Sequence, residues 1–186
     1  MQENTNSVNQ EIIVYEPYKG MRGHFDRLRW VLRAKATEKE KFNISLKRLL
    51  VQDGLAICTD RCRLHIADMN DCPPIPDGLY KIMENSAKRV LLKRVEDEDF
   101  PDIWRIFYPN PKNGGRVSIG DRKEDENKYL TNAIIALYET THGLKFDAGF
   151  VKDAMREGDF KIEFHGSDVA VMGNEDAIAV FCAFQG

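Results

Sequence analysis

The chain carries one supersecondary pattern twice, once toward each end, and any fold for it must accommodate both copies. The C-terminal copy reads as a strand over 143–147, a short helix over 148–157, and strands over 160–164, 169–172 and 177–184. His165-Gly166-Ser167-Asp168 and Gly173-Asn174-Glu175-Asp176 separate the strands, with the Gly, Asn and Asp that tight turns need. The N-terminal copy has a strand over 11–16, a helix over 22–36, and strands over 42–50, 55–58 and 62–67. Its breaks are Gln52-Asp53-Gly54 and Thr59-Asp60-Arg61. Both copies are β-α-β-β-β. The repeat implies an α+β fold, one domain overall with pseudo-two-fold symmetry. Each helix has one apolar side, and burying both over a common sheet puts them side by side on one face.

A length of 186 residues suits one ordinary domain or two small ones. The division expected is a polar, disordered tail over 1–10, a first unit over 11–70, a connecting segment over 71–142 and a second unit over 143–186. The tail has neither the basic start nor the apolar stretch of a signal peptide. Apolar runs such as 133–138 are too short to span a bilayer, so a cytoplasmic location and no membrane partner are expected. Cys58 and Cys62 have three residues between them, C-x3-C, with Cys72 and Cys182 remote, which is not the paired spacing of a zinc site. The cysteines read as strand residues in a reducing compartment, with no metal and no cofactor.

Charge is unevenly spread. From Lys19 to Arg48 ten basic residues stand against three acidic ones, a net of +7 inside a chain of net −3. On a helical wheel Phe25, Leu28, Leu32 and Ala36 gather on one side, and Asp26, Arg27, Trp30 and Arg33 on the other. The outward face is therefore expected to be basic and suited to phosphates, against the simpler reading of a solvated helix face. The second helix repeats this weakly: Phe150, Val151, Ala154 and Met155 are apolar, with Lys152 and Arg156 opposite.

Between the copies, 80–83 and 89–95 read as a hairpin around Asn85-Ser86, 110–115 as a loop, and 129–138 as a helix apolar around most of its circumference. Phe100, Ile103, Trp104 and Ile106 are expected to be mostly buried. Motifs of catalysis are missing: there is no Walker or dinucleotide glycine loop, no H-E-x-x-H and no G-x-S-x-G. His65 alternates with Leu64 and Ile66, so it points to the opposite face of its strand and reads as structural. Asp53, Asp60, Asp168 and Asp176 sit in turns, where short carboxylates cap the backbone. A binding rather than an enzymatic role follows.

The residues also resemble a family. Leu55-Ala56-Ile57-Cys58-Thr59-Asp60-Arg61-Cys62-Arg63-Leu64-His65-Ile66 resembles the strand–Thr-Asp-Gly-His-Arg-Leu–strand segment of bacterial sliding clamps, the β subunit of DNA polymerase III. Phe100-Pro101-Asp102-Ile103-Trp104-Arg105-Ile106 is similar to that family's Phe-Pro-Asp-Tyr-x-Arg-Val, and 144–184 resembles the closing half of a clamp domain. The resemblance implies a clamp-like fold of two β-α-β-β-β halves whose helices line a ring and face DNA. It assigns Arg22, Arg27, Trp30, Arg33, Lys35, Lys152 and Arg156 to a DNA-facing surface, and Thr59, Arg63, Leu64, Phe100, Pro101 and Ile103 to partner binding. Two departures stand out. Arg61-Cys62 replaces the family's Gly-His, and Cys182-Ala183-Phe184-Gln185-Gly186 replaces its apolar-Pro-Met-Arg ending. A bacterial clamp chain has three such domains, and this chain has room for one plus its middle segment, so a closed ring would need a higher homo-oligomer.

Three readings follow. The first is a non-catalytic, clamp-like protein that associates with double-stranded DNA in replication or repair, alongside replication or repair proteins. The second is a clamp-fold module that binds a protein partner and no DNA. The third is an enzyme with an unrecognised site. Salt-dependent DNA binding separates the first from the second.

Overall fold

The computed structural model describes residues 12–17, 22–39, 41, 43–96, 98–103, 113–119, 145–155, 158–165 and 169–182. The expected tail over 1–10, the apolar helix over 129–138, and Trp104, Ile106 and Asp168 lie outside the described residues.

In chain order the elements are β1 (Ile12–Tyr15), α1 (Arg22–Val31), β2 (Arg48–Gln52), β3 (Leu55–Thr59), β4 (Arg63–Asp68), β5 (Gly78–Asn85), β6 (Val90–Val95), β7 (Asn113–Ile119), α2 (Ala148–Ala154), β8 (Gly158–His165), β9 (Val169–Gly173) and β10 (Ala177–Cys182). Among the described residues all strands belong to one ten-stranded sheet, ordered β1-β6-β5-β2-β3-β4-β10-β9-β8-β7. Every pairing is antiparallel. The expected symmetry is visible in that order: β2-β3-β4 and β8-β9-β10 run inward from either side and meet at the central β4·β10 pair. Each helix precedes the first strand of its triplet.

Local chemistry explains most boundaries. Asp53 and Gly54 both have positive φ, 52° and 76°, and form the two-residue β2–β3 turn. That is the type I′ geometry that Asp-Gly favours between twisted strands. Asp147 caps α2, its Oδ1 accepting from the amides of Gly149 (2.6 Å) and Phe150 (3.3 Å). Helix α1 stops short of the expected Ala36: residues Leu32–Ala34 tighten into a 3-10 turn and Lys35 is extended. The amide of Ala36 bonds the carbonyl of Leu46 (2.9 Å) instead of continuing the helix. The strand expected from residue 42 begins at Arg48, because Ile44–Lys47 is a second 3-10 turn. There Ser45 Oγ donates to Asn43 Oδ1 (2.6 Å), a local polar bond that competes with extended backbone. The loop expected over 110–115 is corrected as well: Asn113 to Gly115 open β7 and pair with Ile162, Glu163 and Phe164 of β8. Sheet pairing outweighs the poor strand preference of two glycines.

The two faces of the sheet are covered differently. Leu49, Val51, Ala56, Cys58, Ala67, Ala170, Met172, Ala177, Ala179 and Phe181 point toward the helices and share one core with Phe25, Leu28, Trp30, Val31, Val151 and Ala154. Much of this floor is alanine, which lets the helices approach closely. Both helices thus lie on one face, and they touch: Trp30 Nε1 donates to the carbonyl of Ala154 (3.1 Å). On the other face Ile57, Leu64, Ile66 and Val180 form a second cluster, closed by Ile103 with Phe100 packed against it. The alternation of residues between the two clusters is the period of two that strands impose. The expected burial of Ile103 is met, and Phe100 is half-buried.

Candidate nucleic-acid interface

The basic run over 19–48 divides into residues committed to the fold and residues that remain in solvent. Arg27 and Trp30 are corrected outright. The wheel placed them on the outward face, but they are only 8% and 2% exposed. For Trp30 the reason is that α1 is packed on two sides, by the sheet beneath and by α2 beside it, so its buried arc is wider than one apolar stripe. Trp30 fills the seam, stacked on the His65 ring with centroids 4.2 Å apart and planes 13° apart. Arg27 reaches over the end of β4, where its Nη1 donates to the carbonyl of Asp68 (2.6 Å) and to Asp71 Oδ1 (2.8 Å). Its Nη2 lies 3.6 Å from Asp176 Oδ2.

Other cations of the run are also paired within the chain, some of them at its surface. Arg48 is buried in a bidentate pair with Glu98, with Nε–Oε2 2.9 Å and Nη2–Oε1 2.8 Å. Lys35 and Lys47 both approach Glu38, at 3.6 and 3.5 Å, and hold its carboxyl below the usual range. Arg29 donates to Asn85 Oδ1 (3.3 Å), and its guanidinium sits 5.7 Å from the Phe25 ring centroid. Among the described residues, what remains exposed on and beside the helices is Arg22, Arg33, Lys39, Lys41 and Lys152. Arg22 is paired loosely with Asp26 at 3.7 Å, where both side chains are mostly in solvent. Such a pair contributes little and leaves both charges available. Arg156 lies outside the described residues.

The residues assigned to partner binding do not form one surface. Leu64 and Ile103 are buried in the cluster on the face away from the helices. Thr59 and Arg63 instead build the β3–β4 turn. Thr59 Oγ1 donates to the carbonyl of Arg63 (2.7 Å) and accepts from the amide of Arg61 (3.1 Å). Asp60 Oδ1 accepts from the amides of Cys62 (3.0 Å) and Arg63 (2.9 Å), the capping role expected of a turn carboxylate. Arg61 has a φ of +78°, a conformation that glycine adopts without strain, and it stands where the clamp motif has glycine. The Arg63 guanidinium bridges Asp60 and Asp153 of α2 and lies over the Phe150 ring, so this turn clamps the second helix to the sheet. The Thr-Asp-x-x-Arg chemistry of this turn thus positions a helix. Phe100 and Pro101 are half-buried at the edge of the opposite cluster.

Among the described residues no helix is long and apolar enough to cross a membrane. Cys58, Cys62, Cys72 and Cys182 are free thiols. Sequence reasoning missed that Cys72, Asp71 and His24 meet in space, because they come from α1 and the β4–β5 connection and share no motif spacing.

No protein-family model matches the chain, nor does any curated protein sequence. Solved structures do. The β subunit of DNA polymerase III from Thermotoga maritima superposes with a TM-score of 0.60 at 9% identity, covering 94% of this chain and 65% of that one. The β chain of DNA polymerase III from Streptococcus pneumoniae gives 0.60 at 10% identity, covering 100% and 69%. The Helicobacter pylori β clamp, in a structure with a DNA ligase peptide bound, gives 0.55 at 10% identity, covering 96% and 67%. The chain therefore spans about two thirds of the length of the clamps it overlays. At these identities the likeness is one of fold: a sliding-clamp architecture carried by a sequence that shares about one residue in ten with those clamps.

Proposed function

We propose that this protein is a non-catalytic, clamp-like DNA-associated protein that contacts duplex phosphates through the exposed cations of its helix layer. The observation that carries the reading is the placement of α1 and α2 side by side on one face of a clamp-fold sheet, with Arg22, Arg33 and Lys152 exposed on that layer. Cations on flexible side chains neutralise phosphates without reading bases, which suits a protein that tracks along a duplex. Arg27 and Trp30 take no part, since both are spent on packing. Replication or repair proteins are the partners that this reading implies, and a ring would be assembled from several copies of the chain.

The test is binding of double-stranded DNA of unrelated sequences as salt is raised from about 50 mM, where the electrostatic contribution is strong. The wild-type protein should bind weakly, without sequence preference, and lose affinity steeply with salt. The triple substitution Arg22→Glu, Arg33→Glu, Lys152→Glu should abolish binding, while each cation replaced singly by Ala should weaken binding and reduce the salt slope by roughly one. Its circular dichroism and melting should match wild type, because all three side chains are exposed. Wild-type protein that does not bind, or a triple variant that binds as well as wild type, would transfer the assignment to a protein-interaction module. Light scattering with and without DNA reports whether a defined oligomer forms.

A further inference from the structure

The strongest unassigned chemistry lies beside α1. Cys72 Sγ is 3.0 Å from His24 Nδ1 and 3.3 Å from Asp71 Oδ1, and His24 Nδ1 is 3.7 Å from Asp71 Oδ2. One donor atom from each residue fits within a span of 4.8 Å. A tetrahedral zinc ion, with bonds of roughly 2.0–2.3 Å, holds its donors roughly 3.3–3.6 Å apart. A second observation points the same way. The Tyr15 side chain is buried beside Cys72, near Arg27 and Asp71, so its hydroxyl adds a fourth potential donor to the cluster.

Two alternatives are weaker. A thiol–imidazole nucleophile needs a sulfur that a substrate can reach, but Cys72 is only 8% exposed. A magnesium or calcium site needs an all-oxygen donor set, which a thiol and an imidazole do not supply. We propose that His24 Nδ1, Asp71 and Cys72 Sγ bind one zinc-class divalent cation, with the fourth position taken by water or by the Tyr15 hydroxyl. Binding would expel the Cys72 proton to solvent, leaving a thiolate on the metal. Charge then balances locally. The dication, the thiolate and Asp71 sum to zero, and the neighbouring Arg27 is offset by Asp176. Asp71 is more than half exposed, which gives the ion an approach from solvent. Because His24 lies on α1 and the other two ligands lie past the end of β4, the ion would staple helix to sheet.

The experiment uses the full chain stripped with a chelator and titrated with cobalt(II), then zinc(II). Expected are one equivalent of metal retained after gel filtration, thiolate-to-cobalt charge-transfer absorption in the near ultraviolet with tetrahedral bands in the visible, and loss of both on zinc addition. Cys72→Ser and His24→Gln should each weaken binding roughly tenfold or more, at least as much as loss of an outer-sphere partner does. The cobalt spectrum of the unsubstituted chain needs no variant and stands even if a substitution fails to fold. Absence of the charge-transfer band, retention well below one equivalent, or a band that survives Cys72→Ser would overturn the assignment.

Discussion

His65 offers the sharpest test of how the helices meet the sheet. Its ring is fully buried, stacked on Trp30, with Nδ1 3.0 Å from the Trp30 carbonyl. A carbonyl can only accept, so the proton sits on Nδ1, and Nε2 is buried without a hydrogen-bond partner among the described residues. Burial, with lesser contributions from Arg63 and Arg33, pushes the imidazole down from 6.5 to about 3. The sign follows from proton counting. Below pH 6.5 the unfolded chain takes up a proton here that the folded chain refuses, so stability falls with pH, and the loss ends only near pH 3. At about pH 5 the unfolded histidine is almost fully charged and the folded one is neutral. The cost is then roughly 1.4 kcal/mol for each pH unit below the unfolded pKa, or about 2 kcal/mol. Urea denaturation of wild type and His65→Asn at neutral pH and at about pH 5 measures it. The asparagine amide can still donate to the Trp30 carbonyl but cannot ionise. Carboxylates that titrate elsewhere affect both proteins alike and cancel in the comparison. Wild type should lose about 2 kcal/mol more than the variant on acidification. Equal losses would mean that the imidazole reaches water or an acceptor in the folded protein, and the packing account of the α1–α2 seam would fail.

Two backbone positions yield further predictions. Arg61→Gly should stabilise the protein by about 0.5–1 kcal/mol, since relief of the left-handed conformation outweighs the added freedom of the unfolded chain; a fall in melting temperature would show that the Arg61 side chain makes a contact worth more than the strain. Gly54→Ala should destabilise by about 1–2 kcal/mol, because left-handed backbone there disfavours any side chain. A Cβ at this position would also lie 2.0 Å from Asn70 Oδ1, so the Asn70 side chain must move. An unchanged denaturation midpoint for Gly54→Ala would rule out the positive-φ turn.

The repeat was legible because its signals are local. Asp53-Gly54 dictates a hairpin, Asp147 dictates a helix start, and alternation in Leu64-His65-Ile66 sends the histidine to the face opposite its neighbours, where it is found. The candidate interface was read less well because a helical wheel knows only one neighbour. It assigns one apolar stripe to the sheet and everything else to solvent, so the second contact of α1, with α2, was invisible. Trp30 lies on that hidden arc, while Arg27 is drawn in by the carbonyl of Asp68 and the carboxylate of Asp71 beyond the sheet strand, which no wheel displays. Arg48 shows the same limit, since its partner Glu98 is far along the chain and no spacing rule joins them. Strand β7 was missed because Gly114 and Gly115 carry no strand preference of their own and take their conformation from β8.

The central strand pair also sets an order of events. Strands β1 to β6 pair among themselves, so that part of the sheet can assemble as soon as Val95 is available. The outer edge of β4 cannot be satisfied until β10, at the far end of the described chain, comes to lie against it with Arg63 opposite Phe181 and Ala67 opposite Ala177. At about 5–20 residues per second, a ribosome leaves that edge bare for on the order of ten seconds. Its unpaired amides and carbonyls, backed by Leu64 and Ile66, form a template for the same strand of a neighbouring nascent copy. The join that makes the two halves one sheet is thus also a place where synthesis of this protein is exposed to strand exchange between copies.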